Sequence, residues 1–413
     1  MTADFGEPEI IVDLSRLLSR VMHPAPTGVD RVEMAYALGL LAIAPASVSF
    51  AVSHPAGPHG RVSTSAAVDF LHLTASRWES EGQDETRASR LRRAAGACFA
   101  LSPFARPARR TSDRPKSYLH LSARSLERTS MFRAILEREN ARFIPFVHDI
   151  IPITHPEYSR PNGPAMYKKK MATVAALASG VIVNSKATAQ ALSPLLAATG
   201  RDIPIHAAPL GVDAPNAAPA AAAGSPGYFV CLGTIEPRKN HLLLLNLWRG
   251  LAETLGPGAT PRLVLIGRRG WENEMVLDML DRCPALKDVV EERGRLSDSE
   301  QRDVLRGARA ILLPSFVEGF GLPVAEALAL GVPVIASDLA ALREAGGDAA
   351  DYLDPLDGSA WRSAILDYAE PRSARRAAQI ERIAKWTAPT WSIPVRSSYD
   401  FIRRICAQDG PPA

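Results

Sequence analysis

The residues with the clearest capacity for chemistry lie between Pro314 and Glu326, in the sequence PSFVEGFGLPVAE. An apolar run that predicts a buried strand leads into a turn at Gly319 and Gly321, where the backbone can approach a ligand closely. The free amides at the start of the following helix favour a diphosphate or the oxygens of a sugar. Glu318 precedes the turn and Glu326 lies one or two turns into the helix, so both carboxylates can reach one ligand. The segment predicts a ligand site; the alternative is a strand-to-helix turn with two surface glutamates.

The elements that must position this segment form a pattern of short strands alternating with longer helices, which predicts βαβ units and parallel sheets. In the second half of the chain, strands are predicted at 228–232, 262–266, 289–291, 310–313 and 332–336. Helices are predicted at 241–255, 272–281, 298–309 and 322–330. We therefore expect a doubly wound unit, in which ligands bind beyond the carboxyl ends of the strands.

The first half predicts a second unit of the same kind. Its strands are predicted at 9–13, 48–52, 118–121, 143–148, 181–184 and 204–207, and its helices at 29–43, 124–139, 164–178 and 186–197. The stretch 54–115 predicts only one helix, near 85–95. Small residues with Pro and Gly at 216–227 predict an interdomain linker. We expect Rossmann-like domains at 1–215 and 228–375, a cleft between the carboxyl ends of their sheets, and a helical tail at 376–413.

Length and composition agree with two soluble domains. The chain has 413 residues, of which 46% are hydrophobic and 22% charged, and it fits two domains of about 200 residues each. No apolar run approaches the roughly 20 residues of a membrane span, and the first residues do not form a signal peptide. The four cysteines are far apart and predict neither a zinc site nor a disulfide framework, which favours a reducing cytoplasm.

Basic residues are concentrated in the first half, although the net charge is only +4. They cluster at 87–116 and at Lys168, Lys169 and Lys170. One interpretation is a solvated surface. The other is a surface that meets anionic lipid headgroups, as a peripheral contact with the inner face of the membrane, or a lipid-diphosphate acceptor. Nucleic acid is disfavoured because the sequence has no recognition motif.

The segment from Glu318 to Glu326 matches the Glu-x7-Glu motif of the family 4 retaining glycosyltransferases, also called glycosyl transferases group 1. The motif lies within EGFGLPVAEALALGVPVIAS, which is similar to that family over its whole length. The similarity extends from Ile10 to about Asp357 and is strongest from Tyr228 onward. It includes LGTIEPRKNH at 232–241, LVLIGRRGW at 263–271, GRLSD at 294–298, SD at 337–338, LREAGG at 342–347, TGVDRVE at 27–33, HDIIPITHPEY at 148–158, VNS at 183–185 and PLGVD at 209–213.

The resemblance implies a GT-B fold of class α/β, in which two Rossmann-like doubly wound domains face a central cleft and a C-terminal helix crosses back to the first domain. The first domain would bind the acceptor and the second the nucleotide sugar. The implied activity is that of a hexosyltransferase that moves a hexose, with retention, to a glycan or lipid-linked acceptor in polysaccharide biosynthesis. LGTIEPRKNH together with HDIIP resembles mannosyl- and rhamnosyltransferases, so we expect mannose from GDP-mannose.

The resemblance also implies a role for each matching residue. Glu318 would hydrogen-bond the donor sugar and Glu326 the ribose, while Lys239, with Arg238, would neutralise the leaving diphosphate. The implied donor-binding set is Gly28, Thr234, Arg238, Lys239, Glu318, Gly319, Phe320, Gly321, Leu322 and Glu326. The implied catalytic set is Glu318, Lys239 and His148, with His148 near the transferred sugar; the alternative for His148 is a core histidine.

The sequence departs from the family pattern at two positions. Thr234 stands where many members carry a basic residue, so the diphosphate would depend more on Arg238, Lys239 and helix N-termini. A single Gly28 replaces a double glycine and would let the N-terminus of the first helix approach the phosphates from the opposite domain.

The chemistry of this residue set requires stabilisation of negative charge on the departing diphosphate. Cationic side chains and helix dipoles can supply it without a metal, and no Asp-x-Asp motif occurs in the sequence. We expect no cofactor, no divalent metal and no protein nucleophile. The alternatives are a GT-B-fold sugar-nucleotide epimerase, a glycogen-synthase-like enzyme and a non-catalytic sugar-nucleotide-binding subunit. A nicotinamide dehydrogenase is disfavoured because no strand is followed by Gly-x-Gly-x-x-Gly, and the placement of the two glutamates for donor binding disfavours a glycosidase.

Overall fold

The chain divides into two compact units. The structure, a computed structural model, describes residues 7–21, 23, 25–53, 59–79, 85–101, 114–213, 227–294 and 296–408. Unit 1 comprises Met1–Thr154, Asn162–Leu210 and Trp391–Ala413, and unit 2 comprises His155–Pro161 and Gly211–Thr390. Each unit contains one sheet that is parallel or almost entirely parallel, so the predicted α/β class is confirmed. The predicted linker at 216–227 lies, apart from Gly227, outside the described residues.

Unit 1 is built on a seven-stranded sheet in the order β3-β2-β1-β4-β5-β6-β7. Its strands are β1 Glu9–Asp13, β2 Val48–Ser53, β3 His59–Val62, β4 Lys116–His120, β5 Arg142–Val147, β6 Val181–Val183 and β7 Ile205–Ala207. All pairs are parallel except β2 with β3. The strand order reverses between β1 and β4, so the carboxyl ends of these two strands border the crevice where such sheets bind ligands.

Helices lie between most of these strands along the chain. They are α1 Ser15–Ser19, α2 Gly28–Ile43, α3 Thr64–Glu79, α4 Glu85–Leu101, α5 Thr129–Glu139, α6 Ile151–Thr154, α7 Gly163–Leu177 and α8 Lys186–Ala197. The side chains of Thr27 and Ser185 cap the amino ends of α2 and α8. The core includes Tyr118, Phe132 and Phe143, which are fully buried.

Unit 2 is built on a six-stranded parallel sheet in the order β10-β9-β8-β11-β12-β13. Its strands are β8 Tyr228–Leu232, β9 Arg262–Ile266, β10 Val290–Arg293, β11 Ala308–Leu313, β12 Val334–Ser337 and β13 Asp351–Leu353. Its helices are α9 His241–Leu255, α10 Glu274–Arg282, α11 Asp298–Arg306, α12 Leu322–Ala329, α13 Ala340–Gly346, α14 Gly358–Ala369 and α15 Ala374–Lys385. Trp248 and Trp361 are fully buried in its core, and each donates its indole N–H to a backbone carbonyl.

The C-terminal segment of the chain is divided between the two units. Helix α15 belongs to unit 2, whereas the last helix, α16 Ser392–Cys406, belongs to unit 1. In unit 1, the side chains of Phe401 and Ile405 pack against Gly180, and Val395 packs against Gly39. The crossing of the C-terminal helix to the first domain is therefore present. Within the described ranges, no helix is both long and apolar enough to cross a membrane.

Candidate functional site

The site in unit 2 begins at the turn after β8, which positions two cations. Gly233 has a φ of +141°, and a Cβ there would lie 3.4 Å from Cε of Lys239. A short 3-10 helix, Pro237–Lys239, carries Arg238 and Lys239 and ends at Asn240, which has a left-handed backbone. The side-chain amide of Asn240 donates to the carbonyl of Pro355 at 3.0 Å, which anchors this turn. The turn therefore holds both cations at the carboxyl end of β8.

Two glycines after β9 allow this turn to pack against backbone. A Cβ at Gly267 would lie 1.9 Å from the carbonyl oxygen of Gly233, and one at Gly270 would lie 2.5 Å from that of Ile235. The amide of Ile235 donates to the carbonyl of Arg268 at 3.0 Å. Thr234 is half-buried between these contacts, and a Cβ at Gly270 would lie 2.9 Å from its Cγ2. The structure thus places Thr234 in a tightly packed turn.

Glu318 is the centre of the charged cluster in unit 2. Its Oε1 accepts hydrogen bonds from Lys239 Nζ at 2.5 Å and from the Ser315 hydroxyl at 2.7 Å. Its Oε2 accepts from Arg238 Nη1 at 2.7 Å. Only 7% of the Glu318 side chain is exposed. The structure therefore brings together three residues of the predicted site that lie up to 80 positions apart in sequence.

The charges of this cluster are balanced. Arg238 also pairs, through Nε at 2.6 Å, with Glu236, so two cations face two carboxylates. Burial alone would raise the pKa of Glu318, but Arg238 and Lys239 outweigh it and hold the pKa at about 2. Glu318 is therefore ionised at neutral pH and can only accept hydrogen bonds.

The predicted glycine turn leads into α12, as the sequence indicates. Gly321 has a φ of +99°, and a Cβ there would lie 2.3 Å from Cδ2 of Leu342. The amide of Leu322, the first residue of α12, has no intrahelical acceptor and can bind an anion, whereas Pro323 has no N–H and the amide of Val324 donates to the carbonyl of Gly321 at 2.9 Å. Phe320 is buried, whereas Gly319 is half-buried. Glu326 lies in α12 and is half-buried.

The remaining predicted residues lie in unit 1. Gly28 is the first residue of α2, directly after the N-cap Thr27, which forms a capping box with Asp30. Asp30 is buried and pairs with Arg16 at 3.1 Å and Arg20 at 2.8 Å. The amino end of α2 is thus fixed by an ion-pair network that sequence reasoning missed.

His148 follows β5 and is half-buried. Its Nε2 lies 2.8 Å from the carbonyl of Leu121, to which it donates, so its Nδ1 is a hydrogen-bond acceptor when the ring is neutral. Burial lowers the pKa of His148 to about 4. The ring packs 4.6 Å from that of Phe146. The residue is thus neutral at pH 7 and oriented by the end of the neighbouring strand.

Two further residues of unit 2 were not assigned to the site from sequence. Ser315 supports Glu318 as described above, and Phe316 stacks on Tyr158 with ring centroids 5.5 Å apart. The ring of Trp271 lies under the guanidinium of Arg160, 5.2 Å from it. Tyr158 and Arg160 thus pack within unit 2, and no spacing in the sequence indicates these partners. Within the described residues, no group of three or more His, Cys, Asp or Glu side chains could hold a metal ion.

Residues 216–355 match the family described as glycosyl transferases group 1. O-antigen chain mannosyltransferase B of Escherichia coli is 34% identical over 165 residues, which are 40% of this chain and 42% of that protein. The serotype-specific mannosyltransferase WbdA of Escherichia coli is 27% identical over 256 residues, which are 55% of this chain and 30% of that protein. The chain thus spans less than half the length of these relatives.

Among solved structures, sucrose-phosphate synthase from Thermosynechococcus elongatus superposes on 96% of this chain and 99% of its own. The TM-score is 0.62 and the sequence identity is 16%, so this likeness concerns the fold alone. The fold, the family match and the similarity to mannosyltransferases agree with one another. The chain therefore has the GT-B fold, its residues 216–355 match the glycosyl transferases group 1 family, and its sequence is similar to those of mannosyltransferases.

Proposed function

We propose that this chain is a retaining hexosyltransferase that moves mannose from GDP-mannose to a glycan or lipid-linked acceptor in polysaccharide biosynthesis. The observation that carries the proposal is the buried cluster of Lys239, Arg238 and Glu318 within the group 1 domain. The similarity to O-antigen mannosyltransferases supports mannose as the sugar. A nucleotide sugar is the donor in this proposal, and no nucleic acid takes part.

The two cations would stabilise the leaving diphosphate. Lys239 uses one of its three N–H donors on Glu318, so two remain for phosphate oxygens. The amide of Leu322 at the start of α12 adds a donor that needs no reorganisation during the reaction. This arrangement supports a transferase that needs no divalent metal and no cofactor.

Glu318 would orient the donor rather than attack it. It is ionised and already accepts three hydrogen bonds, which leaves its remaining lone pair for one sugar hydroxyl. Because it also fixes Lys239 and Arg238, its loss would displace both cations. We propose that no covalent glycosyl-enzyme forms and that the leaving phosphate takes the proton of the acceptor hydroxyl on the same face.

Glu326 would bind the ribose hydroxyls, and Gly319, Phe320, Gly321 and Leu322 would line the sugar and diphosphate. In unit 1, the amino end of α2 at Gly28 offers amides for phosphate, and Nδ1 of His148 offers an acceptor for a sugar hydroxyl. Thr234 cannot supply the charge of a basic residue. In this proposal, Arg238 and Lys239 supply the positive charge that a basic residue at position 234 would provide.

A cytoplasmic location with peripheral contact at an anionic membrane is part of the proposal. Its support is the row of exposed arginines on α4, Arg90, Arg92 and Arg93, together with the exposed Lys168 and Lys169 on α7. The predicted basic positions at 106–110 lie outside the described residues.

A donor panel tests the proposal. GDP-mannose, UDP-glucose, UDP-N-acetylglucosamine and dTDP-rhamnose are titrated against the wild type and Glu326→Ala, with thermal shift and slow donor hydrolysis as readouts, with and without EDTA. We expect stabilisation and hydrolysis with GDP-mannose alone, unchanged by EDTA and lost in the variant. Binding without turnover of any donor would favour a non-catalytic sugar-nucleotide-binding subunit. Isomerisation of the donor sugar without transfer would favour an epimerase.

A further inference from the structure

A groove lies along one face of α5 in unit 1, apart from every residue assigned to the donor. Its volume is about 370 Å³, which lies within the range of small-molecule sites. Arg128, Ser130, Met131, Ile135 and Arg138 line it from α5, and His59 lines it from β3. None of the described side chains that line it is acidic. The groove therefore favours a ligand with negative charge.

The two arginines stand at opposite ends of the groove. They are ten residues apart on α5, which corresponds to about 15 Å along a helix. Arg138 Nη1 donates to the carbonyl of His59 at 3.0 Å, so its guanidinium is held beside the groove. Arg128 is exposed, and no carboxylate among the described residues pairs with it. Guanidinium groups in this setting favour phosphate or carboxylate.

The amino end of α5 adds to this preference. Arg128 is its N-cap residue, no side chain caps the first turn, and the first turn contains no acidic residue. The free amides of Thr129 and Ser130 and the helix dipole therefore favour an anion at the same end of the groove.

The side chain of His59 requires a hydrogen-bond partner. It is only 6% exposed, and its Nδ1 has no hydrogen-bond partner among the described residues. Its Nε2 lies 3.1 Å from Oε1 of Glu139. Burial would raise the pKa of Glu139, but His59 and Arg61 outweigh it and lower the pKa to about 2, so Glu139 is a carboxylate and His59 Nε2 must donate to it. In the neutral ring, Nδ1 then accepts, and its natural partner is a ligand hydroxyl.

Between these polar groups the groove is apolar. Met131 and Ile135 lie on the same face of α5, between Arg128 and Arg138. An apolar wall between hydrogen-bonding groups suits the C–H face of a sugar ring. The lining as a whole thus combines sites for an anion, a hydroxyl and a ring face.

A second, much smaller cavity lies beside the groove. It measures about 20 Å³, and it shares Arg128 and Met131 with the groove. Asp13 and His120, at the carboxyl ends of β1 and β4, line it. This is the edge of the sheet where the strand order reverses and where ligands of such sheets bind.

We infer that the groove on α5 binds a sugar residue that carries a phosphate or a carboxylate, as part of the acceptor glycan. The assignment to the acceptor rests on the proposed function, whereas binding of the anionic sugar does not. The phosphate or carboxylate lies on Arg128 and the amides of Thr129 and Ser130, a ring hydroxyl donates to His59 Nδ1, and the ring packs on Met131 and Ile135.

Calorimetric titration with four probes tests the inference: mannose 6-phosphate, glucuronic acid, methyl mannoside and inorganic phosphate. We expect at least one of the two anionic sugars to bind the wild type more tightly than methyl mannoside and inorganic phosphate. The tighter of the two identifies phosphate or carboxylate as the anion. Arg128→Ala should weaken that binding by about ten-fold or more, because a charge-assisted hydrogen bond is lost.

Two control variants show whether the loss of binding is specific to the groove. Arg133→Ala removes an exposed arginine of α5 that does not line the groove, and Lys239→Ala alters the donor site of unit 2. Both should leave the affinity for the anionic sugar unchanged. Equal weakening by Arg133→Ala, equal binding of methyl mannoside or of inorganic phosphate, or no binding of either anionic sugar would overturn the inference.

A parallel titration with GDP-mannose keeps the two proposals apart. Arg128→Ala should bind GDP-mannose like the wild type, because unit 2 is unaltered. Loss of sugar binding with intact donor binding would concern the groove alone. A wild type that binds the anionic sugar but no nucleotide sugar would overturn the proposed function and leave the groove assigned.

Discussion

At the residue scale, the charged cluster at Glu318 determines what unit 2 can offer a ligand. Glu318 is held by Lys239, Arg238 and Ser315, and the two cations are in turn oriented by Glu318. A buried carboxylate between two cations is costly to disrupt, because removal of one partner leaves an uncompensated charge. Lys239 and Glu318 can therefore each be tested by a single substitution.

The first concerns Lys239. Lys239→Ala should lower kcat for sugar transfer or donor hydrolysis by about 100- to 1000-fold, because a group that stabilises charge in the transition state is lost. Steady-state kinetics with GDP-mannose measure the effect. Lys287→Ala, which removes an exposed lysine of the same unit, is the control and should leave kcat unchanged. A change in KM alone would show that Lys239 contributes only to ground-state binding.

The second concerns the pH dependence of stability. The pKa of Glu318 is depressed from 4.5 to about 2, so its contribution to stability is present above pH 4.5 and is lost as the pH falls toward 2. Glu318→Gln should therefore destabilise unit 2, on the order of 3 kcal/mol at pH 7, and the difference from the wild type should shrink between pH 4.5 and 2.

Urea unfolding followed by tryptophan fluorescence at a series of pH values checks this second prediction. Glu381→Gln, at an exposed position of α15, is the matched control. A difference between the wild type and Glu318→Gln that stays constant from pH 7 to 2 would contradict the ion-pair account.

Mass spectrometry of Glu318→Gln after incubation with donor should show no glycosylated protein.

At the element scale, the glycine turn before α12 joins the strand that ends at Leu313 to the helix that carries Glu326. Gly321 allows this turn because its φ of +99° disfavours any residue with a Cβ. Its neighbour Leu342 is fully buried and cannot easily move away from an added methyl group. The turn is therefore constrained both by its backbone conformation and by its packing.

Substitution at two glycines separates these constraints. Gly331 also has a positive φ, +74°, but nothing lies within 4 Å of its Cβ position. Gly331→Ala should cost about 1 kcal/mol from backbone strain alone. Gly321→Ala should cost more and should also weaken donor binding. Thermal unfolding and donor titration measure both effects, and equal behaviour of the two variants would contradict the role of packing at Gly321.

Sequence patterns predict the bounds of a strand well where the strand is a distinct apolar run. Strands β1, β8 and β9 have the predicted bounds, because each is an apolar run between turn residues. Strand β3 has no such run: it consists of His59, Gly60, Arg61 and Val62. Its pairing depends on Arg61, which binds Glu9 and Glu139, and such partners cannot be read from local sequence.

The charged cluster likewise contains contacts that the local sequence does not predict. The residue types and turns of the site follow from the sequence, since Gly319 and Gly321 precede a helix as predicted. The pairing of Glu318 with Lys239 joins residues 79 positions apart, and no local spacing encodes it. Ser315 was missed because a serine three positions before a glutamate is not distinctive.

At the scale of the whole molecule, the last helix belongs to unit 1, which is otherwise formed by the first half of the chain. Helix α16 packs on unit 1 through Phe401 and Val395, and Ser398 lies 2.9 Å from the hydroxyl of Tyr36. Unit 1 is therefore complete only when the C-terminal segment is present.

Phe401→Ala should destabilise unit 1 by about 3 to 5 kcal/mol, because a large buried side chain is removed. The exposed Ile393 of the same helix provides the control, since Ile393→Ala should change stability by about 0.5 kcal/mol or less. Urea unfolding measures both. Equal destabilisation by Phe401→Ala and Ile393→Ala would contradict the packing of α16 in unit 1.

The proposed transfer of mannose from GDP-mannose with retention can be followed by proton NMR of the reaction. The anomeric signals are followed from the first minutes of incubation of GDP-α-mannose with the wild type and with Lys239→Ala, with and without EDTA. The account predicts an α-configured initial product, formed equally with EDTA and strongly reduced in Lys239→Ala. A β-configured initial product, a requirement for divalent metal, or no turnover of the donor would contradict it.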